Sequence, residues 1–400
     1  MQNLNRSKLK CKGAALILAV LAMTLLLITG GALLALGFQS RIFQIRTSSD
    51  IVARCAADAG LTNALYEINQ QMQTGQLNPD NLPQITNVPL QGSDSIFSYQ
   101  TSQVDGTYII ESTGVSNGAR RTVQAALRLN NPFDFAVFAV DGVAMQSGSV
   151  IDWYNYTAED DKMKVGTNST NSGAIDLKDS ITINGDVVVG FGGNPDEIVL
   201  VKNGSVVTGD IYPQTRTNPL YSVIVPEYLQ NLPSGDSITG NQTLYNSGRY
   251  DEIDLGNGKT ITVQGSVEIY VTGDIALDNS SSIVIDESVQ DSSLTVYLAG
   301  NLDSKNSCII NNNTEIPRNF KLYGLDTCTS LDFMNSSDFY GVIYAPNADV
   351  VFHNSVDIYG SVIGKTIDLK SSANVYYDAS LRQTQDDDEL VRLIIDRWSE

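Results

Sequence analysis

"FYGVIYAPNADVVFHNS" runs from Phe339 to Ser355, and "IYGSVIGKTIDLKSSA" follows it from Ile358 to Ala373. The two align on Tyr340-Gly341 and Tyr359-Gly360, an offset of 19 residues. A short period built from brief apolar strands and turn residues is the mark of a β-solenoid. One coil cannot bury its own inward side chains. Stacking coils at about 4.8 Å closes the core.

Upstream of this repeat the same texture extends back to about Phe133. Pieces such as "SITI", "DVVVG", "TITV", "SVEIYV" and "LTVYLAG" recur between Gly, Asn, Asp and Ser, and helix-forming runs are nearly absent. The pattern predicts a β-solenoid over residues 131–380. A β-sandwich is the alternative, but it calls for longer strands and does not account for the offset of 19. Before the solenoid, "IFSYQTSQVDGTYIIESTGVSNGARRTVQAALRL" (96–129) holds three strand-like runs separated by "VDG" and "GVSNG". This predicts an antiparallel meander over 96–130. Residues 73–95, with three prolines among Gly, Asn, Asp and Ser, read as a linker. Residues 381–400 read as an acidic tail or helix.

The N-terminus is of another kind. Arg6, Lys8, Lys10 and Lys12 precede an apolar run in which no charge appears until Arg41, a stretch of 28 residues. As a helix this spans about 42 Å, more than the ~30 Å hydrocarbon core. It is longer than the ~7–15 apolar residues of a removable signal peptide. Residues 1–13 therefore read as a cytoplasmic basic leader and 14–72 as a transmembrane helix continuing past the membrane. Leu18, Gly30, Gly31 and Gly37 lie within the span. The basic leader places the N-terminus in the cytoplasm and the bulk of the chain outside.

Beyond Arg41 there is no proline before Met72. Ile42, Ile45, Val52, Cys55, Ala56, Ala59 and Tyr66 suit one helical stripe. The small residues Ala53, Ala56, Ala57, Ala59 and Gly60 admit close approach, either of another helix or of the protein's own domain.

The charge is divided. Residues 1–57 carry seven Lys/Arg and one acid, while the whole chain is −20, so 58–400 carry −26. Such an exterior excludes nucleic acid as a partner. With one histidine, His353, and no CxxC, the sequence predicts no metal centre and no cofactor. Glu159-Asp160-Asp161 and Asp386-Asp387-Asp388 lack the spacing of a calcium loop. Cys308 and Cys328, 20 residues apart, are a candidate disulfide if they stack on adjacent rungs. The aromatics of "IDWYNY" (151–156) suit either stacking on a sugar ring or plugging an open end of the solenoid.

"KGAALILAVLAMTLLLITGGALLALG" with "ARCAADAGLTNAL" resembles the PilX-like type IV pilus assembly proteins, with Ala53, Ala56, Ala57, Asp58, Ala59, Gly60 and Leu61 in their A-x-x-A-x-[ED]-A-G-L pattern. The meander and the tail from Phe339 are similar to parts of the same group. The resemblance implies a minor pilin or pseudopilin, cleaved between Gly13 and Ala14 by prepilin peptidase. Its partners would be other pilins and the pilus assembly machinery, with a surface polysaccharide a further candidate. Leu18 stands where those proteins carry glutamate. The expected function is non-enzymatic. The alternatives are a tethered polysaccharide lyase or hydrolase, or a carbohydrate-binding adhesin. The expected fold is mainly β: a long N-terminal helix, a small meander and a right-handed β-solenoid.

Overall fold

The structure, a computed structural model, describes residues 14–74, 76–155, 162–305, 308–334, 338–353, 355–370, 372–382 and 390–400. The chain forms a long N-terminal helix followed by a mostly β body with one antiparallel sheet and one large parallel sheet. It divides into two compact units, residues 1–130 with 392–400, and residues 131–391.

The first unit is built on α1 (Ala14–Gln73). From Ala53 onward one face of α1 is buried: Ala53, Ala56, Ala57, Gly60, Leu61, Ala64 and Ile68. This is a 3–4 residue spacing. The face packs on an antiparallel sheet of β1 (Gln84–Pro89), β2 (Ile96–Val104), β3 (Thr107–Ser116) and β4 (Ala119–Asn130). A fifth strand, Arg392–Ser399, pairs antiparallel with β4, setting Arg392 opposite Asn130 and Leu393 opposite Leu129. The C-terminus is therefore a strand, not a tail or helix. Arg392 half-buried, Leu393 buried and Ile394 half-buried fit a strand with one covered face, and from Ile395, where the pairing with β4 shifts, the strand is more open. The expected linker likewise contains β1, which pairs with β2. The expected stripe is displaced: Cys55 and Tyr66 are exposed and Ala59 is half-buried, while Ala53, Ala56 and Ala57 are buried. The reason is closeness. A Cβ on Gly114 of β3 would lie 2.0 Å from Ala53 O and 2.5 Å from Ala57 N, and one on Gly60 would lie 2.3 Å from Ser112 Oγ. At that separation only Ala and Gly fit between helix and sheet.

The second unit is a stack of coils whose strands pair in parallel, which excludes the antiparallel sandwich. Each coil passes through three ladders. On the first, Val165, Val187 and Ile211 are in register, as are Ile269, Val296, Leu322, Ile343 and Val362. The second carries Ile253, Ile275, Leu302, Leu331, Val350 and Ile367. The third carries Phe339, Ile358, Val375, Ile151 and Ile183. Tyr340 and Tyr359 are direct partners, as are Gly341 and Gly360. Glycine recurs at that corner because a Cβ on Gly360 would stand 1.9 Å from Gly341 O.

The coils are not stacked in chain order. Val362, near the end of the solenoid, pairs with Val137, near its beginning, and Val375 pairs with Ile151. The run 137–213 thus continues the stack that 234–377 builds. Residues 214–233 return along the stack as a strap. Gln214 Nε2 donates to Thr167 O (2.7 Å), Asn168 Nδ2 to Asn218 O (2.8 Å) and the Tyr344 hydroxyl to Tyr221 O (2.7 Å). Pro219, Pro226 and Pro233 punctuate it, and proline cannot complete a ladder.

Candidate functional site

The most distinctive element is the N-terminal half of α1. Leu16, Leu18, Leu26, Leu27, Leu34 and Phe38 each leave more than 60% of their surface uncovered. A Cβ added at Gly30, Gly31 or Gly37 would meet nothing within 4 Å. Thr24 and Thr29 return their hydroxyls to Leu21 O and Leu25 O, each at 2.9 Å, so the polar groups are met inside the helix. Such satisfaction is what a hydrocarbon environment demands. Among the described residues, α1 is the one helix long and apolar enough to cross a membrane. Gly13 lies outside the described residues, and Ala14 opens the helix.

The motif that resembles pilus assembly proteins is brought together, but on the protein's own sheet. Ala53, Ala56, Ala57, Gly60 and Leu61 are buried there, while Asp58 and Ala59 stay half-buried. Asp50, one turn earlier, pairs with Arg121 of β4, and Arg54 lies 3.2 Å from Glu400 while its guanidinium sits 5.4 Å from the Trp398 ring.

In the solenoid, Cys308 and Cys328 are both buried as free thiols. The expected disulfide fails for a reason of period. The local offset is 29 residues between Leu302 and Leu331. A spacing of 20 therefore places the cysteines at different corners, Cys308 before the strand Ile309–Asn312 and Cys328 before Ser330–Phe333. Cys308 Sγ instead donates to Leu277 O at 3.0 Å. Burial pushes the Cys328 thiol up to about 11 and raises that of Cys308 as well.

The "IDWYNY" aromatics do not plug an end. The strand Val150–Trp153 lies within the stack, with partners on both sides. Trp153 packs 5.5 Å from Tyr377. Tyr154 meets an outward ladder that the sequence did not assemble: Tyr340 on Tyr359 at 4.3 Å and Tyr359 on Tyr376 at 5.1 Å. The rings stand parallel within 8° and 21°, and Tyr154 abuts Tyr359 edge-on at 4.8 Å. Burial raises the pKa of all four phenols, and the Tyr340 hydroxyl is further held neutral by Tyr359 and Glu315. Both faces of the Tyr359 ring are covered, by Tyr340 and Tyr376, so that ring offers no open platform for a sugar.

The second ladder turns charge outward. Asp176, Asp368, Asp332 and Asp303 meet Lys202 (2.7 Å), Lys370 (3.6 Å), His353 (3.0 Å) and Lys305 (2.6 Å). His353 Nε2 thus sits 3.0 Å from Asp332 Oδ1 on the outer face of that ladder. Among the described residues no three His, Cys, Asp or Glu side chains are grouped to hold a metal. Glu159-Asp160-Asp161, Tyr156 and Asp386-Asp387-Asp388 lie outside those residues.

Residues 204–384 match a family described as a domain of unknown function, DUF7305. The match takes in the strap and the whole run 234–377. No curated protein matches the chain. Two solved structures are similar in part. One is the competence-associated pilin ComZ from Thermus thermophilus, with 13% identity over 88% of this chain and 97% of that one and a TM-score of 0.27. The other is an ice binding protein from an Antarctic Flavobacteriaceae bacterium, with 12% identity over 61% of this chain and 96% of that one and a TM-score of 0.24. Likenesses of that extent carry no functional argument.

Proposed function

We propose that the protein is a membrane-anchored, pilin-like subunit of a type IV pilus or pseudopilus that displays a β-solenoid outside the cell. One observation carries the reading: a single 60-residue helix that is bare and apolar in its first half and packed on its own antiparallel sheet in its second. An anchor alone needs only about 20 residues. A helix running on without a break to become the spine of a head is what a filament subunit requires. The basic leader keeps the N-terminus cytoplasmic, and cleavage by prepilin peptidase falls between Gly13 and Ala14. The role is non-enzymatic. Four outward Asp of the second ladder, Asp176, Asp303, Asp332 and Asp368, are engaged by Lys or His, which favours a surface role for them. A surface polysaccharide as ligand draws less support from this ladder, because its central ring, Tyr359, is covered on both faces.

Leu18 and the size of the solenoid support a position at a filament tip or in an initiation complex. An apolar Leu18 needs no partner charge from a subunit above it, and an unpaired charge in the membrane costs ~2.5 kcal/mol or more. The test is to fractionate cells producing the full chain and sequence its N-terminus. A membrane or sheared-filament species starting at Ala14 is expected. A soluble product starting near Phe38 overturns the reading. Immunogold on the solenoid should mark one filament end, and labelling along the shaft removes the tip assignment.

A further inference from the structure

The permuted stack has a consequence for how the chain is completed. In a solenoid wound in chain order the first and last coils lie at opposite ends. Here they are neighbours. Val137 pairs with Val362 and Ile151 with Val375. Asn131 Nδ2 donates to Leu381 O (2.8 Å), Ser361 Oγ to Phe135 O (2.7 Å), Val150 N to Asn374 Oδ1 (2.8 Å) and the Tyr377 hydroxyl to Phe133 O. Arg382 lies across the rings of Trp153 (5.0 Å) and Tyr377 (5.4 Å). This seam joins the two ends of the insert. In the other unit, the strand leading into the insert and the strand leaving it are themselves partners, with Asn130 opposite Arg392.

We infer that seam closure gates completion of the head sheet: the C-terminal strand Arg392–Ser399 docks on β4 only in a molecule whose solenoid has closed. With the seam open, β4 and its partner are joined by the whole of Asn131–Val391, and loop closure costs entropy that grows with length. With the seam shut, Leu381 is held beside Asn131, and only residues 382–391 remain to be spanned. Until then β4 keeps an unpaired edge, which is a template for foreign strands. The last residues of the chain therefore report on the integrity of everything between the two strands. A head becomes complete only when the solenoid it carries is sound.

Hydrogen exchange on the full chain in detergent tests this. Val137→Asp puts a charge at a fully buried seam position, and Asn374→Ala removes one seam hydrogen bond, from Val150 N, and the bond to Asp357 that orients it, should the first variant fail to accumulate. Ile211→Asp is the control, at an inward but partly open position at the far end of the stack. Seam opening should lower amide protection in 137–153 and in 392–399 by the same factor, tenfold or more for Val137→Asp. The control should loosen 185–213 and leave 392–399 unchanged. Wild-type protection of 392–399 in a seam variant that has lost protection in 137–153 overturns the gate. So does loss of 392–399 in the control, which would mean global unfolding.

Discussion

The chain contains two cores built on opposite rules. Between α1 and its sheet, contact is made by Ala53, Ala56, Ala57, Gly60 and Gly114, and backbone nearly touches backbone. In the solenoid, contact is made by columns of Val, Ile, Leu and Phe whose side chains fill the interior. The first core is intolerant of addition and the second of removal. A close-packed interior answers a clash with backbone far less readily than a clash with a flexible side-chain end.

The sharpest way to break the comparison is Gly114→Ala. Its Cβ would stand 2.0 Å from Ala53 O and 2.5 Å from Ala57 N, both backbone atoms. We expect the head to lose about 3 kcal/mol or more. Denaturant unfolding followed by Trp398 in a Trp153→Phe background reads it. Gly240→Ala, where a Cβ would meet nothing within 4 Å, should be nearly neutral. Comparable loss in both variants would show that closeness is not the cause.

The matching removal is Phe333→Ala. Phe333 is fully buried, stacked 4.7 Å from Phe352 and 5.8 Å from Phe339. Truncation should cost the solenoid about 3–5 kcal/mol. Far-ultraviolet and Trp153 transitions should shift together. A shift under about 1 kcal/mol would mean that the column collapses onto the gap.

Cys328 offers a smaller and titratable probe of the same core. Its folded thiol is raised by burial from 9.0 to about 11. For an acid raised on folding, the unfolded chain ionises first. The contribution is whole below about pH 9 and is lost as pH climbs through about 11. The loss is on the order of 2 kcal/mol. Cys328→Ser, or Cys328→Ala if the hydroxyl is poorly tolerated, should flatten the alkaline limb between those values. An unchanged slope would assign that limb to the tyrosines.

How much of this was legible follows from the same contrast. The offset of 19 at Tyr340 and Tyr359 was readable because the coils there are short. It lengthens to 27 between Ser266 and Ser293, and loops of changing length hide the period. That change misled the pairing of Cys308 with Cys328. Stack order left no local trace, because a parallel ladder asks only for matching inward residues and Val137 matches Val362 as well as any sequence neighbour would. In the head, the meander was written in its turns. The small residues Ala53, Ala56, Ala57 and Gly60 marked the face of close approach, though not whether another helix or the protein's own sheet would fill it, and the C-terminal strand "RLIIDRWS" was missed because its partner β4 lies more than 250 residues away. Of the tyrosine ladder, the period brought Tyr340 and Tyr359 together, but Tyr154 joins them across the permuted seam.

The smallest effect lies on the outer face of the second ladder, where both rules should fail together. Lys202 Nζ sits 2.7 Å from Asp176 Oδ1, with the lysine side chain 45% exposed. Lys202→Met keeps the stem that covers the surface and removes the charge. An exposed pair gains little in water, and holding two long side chains in one geometry costs entropy. The expected loss is below about 1 kcal/mol, shrinking further as salt screens the interaction. Lys370→Met, at 3.6 Å from Asp368, should do no more, and the two changes should add, since the pairs share no partner. Denaturation midpoints at low and high salt measure both. A loss well above 1 kcal/mol in the double variant, or one that exceeds the sum, would mean that the outward charges act as a connected ladder along the stack. The solenoid would then owe part of its stability to its surface, and the contrast between the two cores would narrow.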